Sequence, residues 1–165
     1  MRRLVTVTVI CAAFLLPVLA AWGAQPPTDR YILVFQDDNL GMYYLDTETI
    51  QRQADEDVLL FRYRSVISWR YRDKLLKEVR DRRTRDKIKR WAYSIVTVFY
   101  NPADRTAKPA VTVTFTKTDK LLSRTPHNQP FAPVSESPAL EAVCDALTRY
   151  VTAFPKAVRL VPRTL

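Results

Sequence analysis

The densest chemistry in this chain lies between Arg70 and Arg90, where eleven basic residues meet four acidic ones, an excess of +7. The full sequence has 26 basic and 17 acidic residues, and without Arg2 and Arg3 at the extreme N-terminus its excess is also +7. The basic character therefore belongs to one segment of an otherwise balanced chain. Arg80, Arg82, Arg83, Arg85, Lys87, Lys89 and Arg90 outnumber their acids and form a candidate surface for phosphate, sulfate or acidic protein groups. From Tyr71 to Trp91 there is neither Gly nor Pro, and good helix formers dominate, so one charged helix is predicted across residues 70–90. Asp73 precedes Lys77 by four residues, as Glu78 does Arg82, Asp81 does Arg85 and Asp86 does Arg90. Each such exposed pair contributes ~0.2–0.5 kcal/mol to a helix. Two readings follow: a surface that holds an anionic partner, or a solvated helix that bridges two strands and is laced by its own ion pairs.

The other residue types with chemical potential are isolated. His127 is the sole histidine and sits in Thr125-Pro126-His127-Asn128, with no adjacent acid to orient it. Cys144 and His127 are the only soft ligands beyond Cys11, too few for the four-ligand set of structural zinc. Asp37-Asp38 and Asp55-Glu56-Asp57 read as turn acids without calcium-loop spacing. No Gly-rich phosphate loop is present in a chain with two glycines, and no pair of carboxylates stands out for glycoside hydrolysis. The expectation is a protein that is not an enzyme and needs no cofactor or metal.

Position in the cell follows from the first residues. Met1-Arg2-Arg3 is followed by an uncharged stretch from Leu4 to Ala21 and by small residues at Ala20, Ala21 and Gly23, the layout of a secretory signal over residues 1–23. Thr6, Thr8 and Pro17 dilute the stretch and favour cleavage over a retained anchor. Thr8-Val9-Ile10-Cys11 lacks the small residues that precede a lipidated cysteine, so no lipid anchor is expected. The predicted location is the periplasm, or the cell surface or medium beyond it. Export makes nucleic acid an improbable partner and leaves acidic proteins, sulfated glycans and anionic lipid headgroups. After cleavage Cys144 is alone, either buried or available to a second chain, and a homodimer is among the assemblies allowed.

The elements that must position the basic segment come from periodicity. Residues 24–30, with Pro26-Pro27, form a flexible lead-in. Tyr31–Phe35 is a short strand, Asp37–Gly41 a turn, Met42–Leu45 its hairpin partner, and Asp46–Ile50 a tight corner capped by Asp46. Leu59, Phe61, Tyr63, Ile67, Trp69 and Tyr71 alternate with arginines and serine, which predicts one long half-buried strand. Tyr93–Tyr100, apolar on both faces, predicts a central strand. Val111, Val113 and Phe115 alternate with Thr112, Thr114 and Thr116, which predicts a strand with a threonine-lined exposed face. Residues 125–138 hold four prolines and read as a surface loop. Ser137-Pro138 starts a helix whose stripe is Leu140, Val143, Cys144, Leu147 and Val151. Phe154-Pro155 ends it, and residues 155–165 form a basic, mobile tail. The predicted fold is α+β: a single domain over residues 31–154, an antiparallel β-sheet with a C-terminal helix packed on it and a charged helix inserted between strands.

The corner Tyr43-Tyr44-Leu45-Asp46-Thr47-Glu48-Thr49-Ile50, the strands that follow and the Pro138…Glu141-Ala142-Val143-Cys144 helix resemble the surface-adhesin protein E family of small exported bacterial proteins. The resemblance spans about Tyr31 to Tyr150. It implies an antiparallel sheet with a C-terminal helix, no catalysis and, in adhesin members, binding to host matrix proteins. Adhesin members are lipid-anchored and pair the helix cysteine with a second one; this chain lacks both the lipobox and the second mature cysteine. The basic segment has no counterpart in the resemblance. The functional expectation is an exported, adhesin-like binding protein of the cell envelope; the alternative is a periplasmic structural or envelope-assembly protein whose charged helix is only a connector.

Overall fold

Alternating apolar residues build six consecutive antiparallel strands in the computed structural model, which describes residues 29–53 and 57–162. These are β1 (Tyr31–Asp37), β2 (Gly41–Gln53), β3 (Leu59–Ile67), β4 (Tyr93–Asn101), β5 (Thr106–Phe115) and β6 (Leu121–Pro126). Each strand pairs with the next in sequence, in the order β1-β2-β3-β4-β5-β6. A two-residue strand β7 (Ala132–Pro133) adds to β5, and β8 (Arg159–Val161) runs parallel to β2. Three helices complete the fold: α1 (Trp69–Glu78), α2 (Arg82–Arg90) and α3 (Pro138–Ala153). The segment 1–23 expected to be a leader, the start of the lead-in, residues 54–56 and the last three residues lie outside the described residues.

The core lies on one face of the sheet. Leu45, Ile50, Leu59, Phe61, Val96, Val98 and Tyr100 meet Val143, Cys144, Leu147 and Val151 of α3. Ser137 caps α3 by accepting the Leu140 N–H, and Pro138 occupies the first turn. Burial pushes the Cys144 thiol up to about 12, with the nearby Asp145 charge adding to the shift, so this thiol is neutral and packed.

Several expectations change. Residues 46–50 belong to a continuous, bulged β2 rather than a corner. Asp46 is no cap: its buried carboxylate accepts from Arg30 Nε at 3.0 Å and Nη2 at 2.9 Å. That bonding raises the Arg30 pKa further above its usual range, burial opposing it. Strand β3 stops at Ile67 because Ser68 accepts the Tyr71 N–H and starts α1, so Trp69 and Tyr71 are helical. The proline-rich stretch is partly ordered into β6 and β7, its prolines seated on edge strands that need no donor there. The tail carries β8, held by the non-local β2 edge.

The sidedness of β5 is also reversed. Thr112, Thr114 and Thr116 turn to the α3 side, where Thr114 Oγ1 lies 3.2 Å from buried Ser94 Oγ and Thr112 Oγ1 lies 2.9 Å from His127 Nε2. Val111, Val113 and Phe115 pair with Thr97, Ile95 and Tyr93 on the opposite face. α3 packs over β1 and β2, so at the β5 end small hydroxyls satisfy one another instead of burying apolar side chains.

Candidate functional site

The basic segment forms two helices joined through Val79-Arg80-Asp81, not one. Val79 and Asp81 have extended backbones, and the Asp81 carboxylate accepts the Thr84 N–H at 2.7 Å, starting α2 afresh. Hydrogen bonding to Thr84 holds this exposed carboxyl below its ordinary range. The sequence carries the signal for the break: between the Leu75-Leu76-Val79 patch and Ile88 no apolar residue ties a single helix to anything. The ion-pair ladder along one helix does not form. Among the described residues the segment makes two loose contacts, Lys89 to Asp86 at 4.0 Å and Arg70 to Asp38 at 3.8 Å.

The two helices pack on each other at the end of the β3–β4 hairpin, and arginines brace them from inside. Arg85 donates through Nη1 to the carbonyl of Leu76 and, at 3.1 Å, to that of Val79, filling the open carbonyls at the end of α1. Arg72 donates through Nη2 to the Trp91 carbonyl at 2.7 Å and closes the base of the pair. Ile88 is the one residue of α2 that is buried. Arg85, placed on the candidate surface from sequence, is thus half-buried and engaged within the hairpin.

The remaining candidates face solvent. Arg80 lies in the link, Arg82 and Arg83 in the first turn of α2, and Lys87, Lys89 and Arg90 further along it. Cations in a first turn oppose the helix dipole and cost ~0.3–1 kcal/mol each at an exposed site. α2 has no acidic residue in that turn, and Asp81 at the cap is the local compensation.

Two features escaped the sequence reading. Trp69, assigned there to a buried strand face, opens α1 with 67% of its surface exposed. With Arg70, Asp73, Lys74, Lys77 and Glu78 it lines a shallow open groove of about 490 Å³. The second is an arrangement on the sheet face away from α3, where the Arg64 guanidinium lies 4.0 Å from the Tyr93 ring centre and 5.8 Å from that of Tyr31. The alternation of Arg62 and Arg64 with Phe61 and Tyr63 was the visible signal for it.

Elsewhere, His127 sits against Thr112, and its N–H donates to the Ala110 carbonyl at 2.8 Å. Among the described residues no three His, Cys, Asp or Glu side chains gather as metal ligands. No helix among them is long and apolar enough to cross a membrane.

No protein-family model and no curated protein sequence matches this chain. Solved structures of Haemophilus influenzae protein E do match. Its selenomethionine form is 17% identical with a TM-score of 0.46, over 78% of this chain and 93% of that one. The crystal structure of protein E from non-typeable Haemophilus influenzae is 17% identical with a TM-score of 0.46, over 79% and 86%. A further protein E structure is 20% identical with a TM-score of 0.44, over 79% and 96%. The chain is similar to protein E over most of both lengths, at an identity that carries neither binding residues nor partners across.

Proposed function

We propose that this protein is an exported, non-enzymatic binding protein of the bacterial envelope whose basic helical hairpin holds an anionic partner. One observation carries the reading. Ser65 of β3 is paired with Ser94 of β4, and adjacent antiparallel strands of this kind need only a two-residue turn between them. Residues 68–92 instead form a braced helical pair that presents Arg80, Arg82, Arg83, Lys87, Lys89 and Arg90 to solvent with little acid to neutralise them. A connector has no need of such a structure. The cost of cations at the start of α2 points the same way.

Heparin-affinity chromatography and sedimentation with phosphatidylglycerol vesicles test this on the chain lacking residues 1–23. Replacing Arg82→Glu, Arg83→Glu and Lys87→Glu together should move elution to lower salt and release the protein from vesicles. Arg85 is left intact because it braces the hairpin. Unchanged retention on both supports, at matched thermal stability, would overturn the reading. Loss on one support alone identifies the anion as glycan sulfate or lipid phosphate.

A further inference from the structure

An antiparallel sheet covered by helix on one side ordinarily shows polar residues on the other. Here the second face is apolar and basic. Ile95 and Phe99 of β4 lie beside Val113, Val111 and Lys108 of β5, and β3 contributes Arg62 and Arg64 in register with Thr97 and Ile95. On the far side Arg124 of β6 pairs with Val113. Among the described residues the helices pack elsewhere, α3 on the core face and α1 with α2 on each other.

The charges form two rails beside an apolar floor. Arg62 and Arg64 run along one side and Arg124 along the other, while Lys108 lies over the Phe99 and Phe131 rings at one end of the floor; none of the four has a carboxylate within ion-pair distance among the described residues. Two acids stand nearby. Asp46 is held by Arg30, and Asp119 accepts the Tyr93 hydroxyl at 2.7 Å at the end of the face. Arg64 and Arg124 are three strand spacings apart, about 14 Å. That gap accommodates an α-helix, whose diameter with side chains is about 10–12 Å. From Phe99 to Tyr93 the floor runs about 20 Å, the length of a helix of about 13 residues.

We infer that this face docks an amphipathic helix of a partner protein, apolar along one stripe and acidic on both flanks, which completes a third layer over the sheet. A second copy of the chain would bring the same cations together and is disfavoured by repulsion. A sugar polymer would want free ring faces, but Tyr93 and Phe115 stack on each other at 5.0 Å. The inference goes beyond the hairpin reading and does not depend on it.

The test uses two synthetic 14-residue helical peptides with the same leucine–alanine stripe, one flanked by glutamates and one by lysines, titrated by fluorescence anisotropy against the chain lacking residues 1–23. The glutamate peptide should bind at least tenfold more tightly than the lysine peptide, and less tightly as salt rises. Arg64→Glu with Arg124→Glu should remove that preference, while Arg149→Glu with Lys156→Glu, exposed charges at the end of α3 and just beyond it, should leave it intact. If the glutamate substitutions impair folding, Arg64→Gln with Arg124→Gln serves in their place, with circular dichroism to confirm the fold. Equal binding of both peptides, no binding, loss of the preference in the Arg149→Glu, Lys156→Glu chain, or self-association through Val113 would each overturn the inference.

Discussion

The sheet with α3 and the helical hairpin at its end are held together by opposite means. In the first, large side chains such as Phe61, Leu147 and Tyr100 disappear from solvent against one another. In the second, Ile88 alone is buried within α2, and guanidinium groups joined to main-chain carbonyls do the holding. Apolar burial is cooperative and non-directional, whereas Arg85 and Arg72 fix a local geometry without contributing to the core. The difference teaches that the hairpin's exposed cations can change without cost to the body, so their identity is free of the demands of folding.

The sharpest way to break this contrast is in the body. Phe61→Ala, at a position with no solvent exposure, should cost about 3–5 kcal/mol in urea unfolding and melt hairpin and sheet together. Alkaline pH gives an effect that is smaller for each pH unit and is confined to the same region. The Cys144 thiol has a higher pKa folded than unfolded, so its contribution is intact below about 9 and is lost as pH climbs toward about 12. Stability should fall by on the order of 1 kcal/mol per pH unit in that window. Half-buried Tyr63, also shifted upward by desolvation, acts in the same direction. A Cys144→Ser chain that keeps the same slope would show that the thiol is not its source. Smallest is Asp81→Ala, which should loosen α2 by about 1 kcal/mol through loss of its cap. Amide exchange should quicken in residues 82–90 while the global unfolding midpoint stays put. A shifted midpoint would mean that the hairpin supports the body as well as depending on it.

What could be read beforehand follows the same division. Strand β4 was legible as an unbroken apolar run of strand length and helix α3 through its long apolar stripe, with strong punctuation, Asn101-Pro102 closing one and Ser137-Pro138 opening the other. The β3–α1 boundary was not, because Trp69 and Tyr71 continue the two-residue alternation by coincidence and hide the cap at Ser68. Alternation in β5 separated two faces but could not say which one α3 would cover. β8 is short and pairs with a strand about a hundred residues away, so nothing local announces it. At the site, the excess of cations was legible and their division of labour was not: Arg82 and Arg85 look alike until α1 is in place to accept hydrogen bonds from one of them. The rails on the open face needed the pairing register of β3 through β6 before Arg64 and Arg124 came into line.

The order of the strands has a consequence for how the chain is made. Strands β1 to β6 join neighbour to neighbour, so they can zip up locally and early, as low contact order favours. Their apolar face has no cover until α3 emerges, and β2 lacks its last partner until Arg159–Val161 follows. A growing chain therefore keeps its core face open until α3, and then Arg159–Val161, have been made.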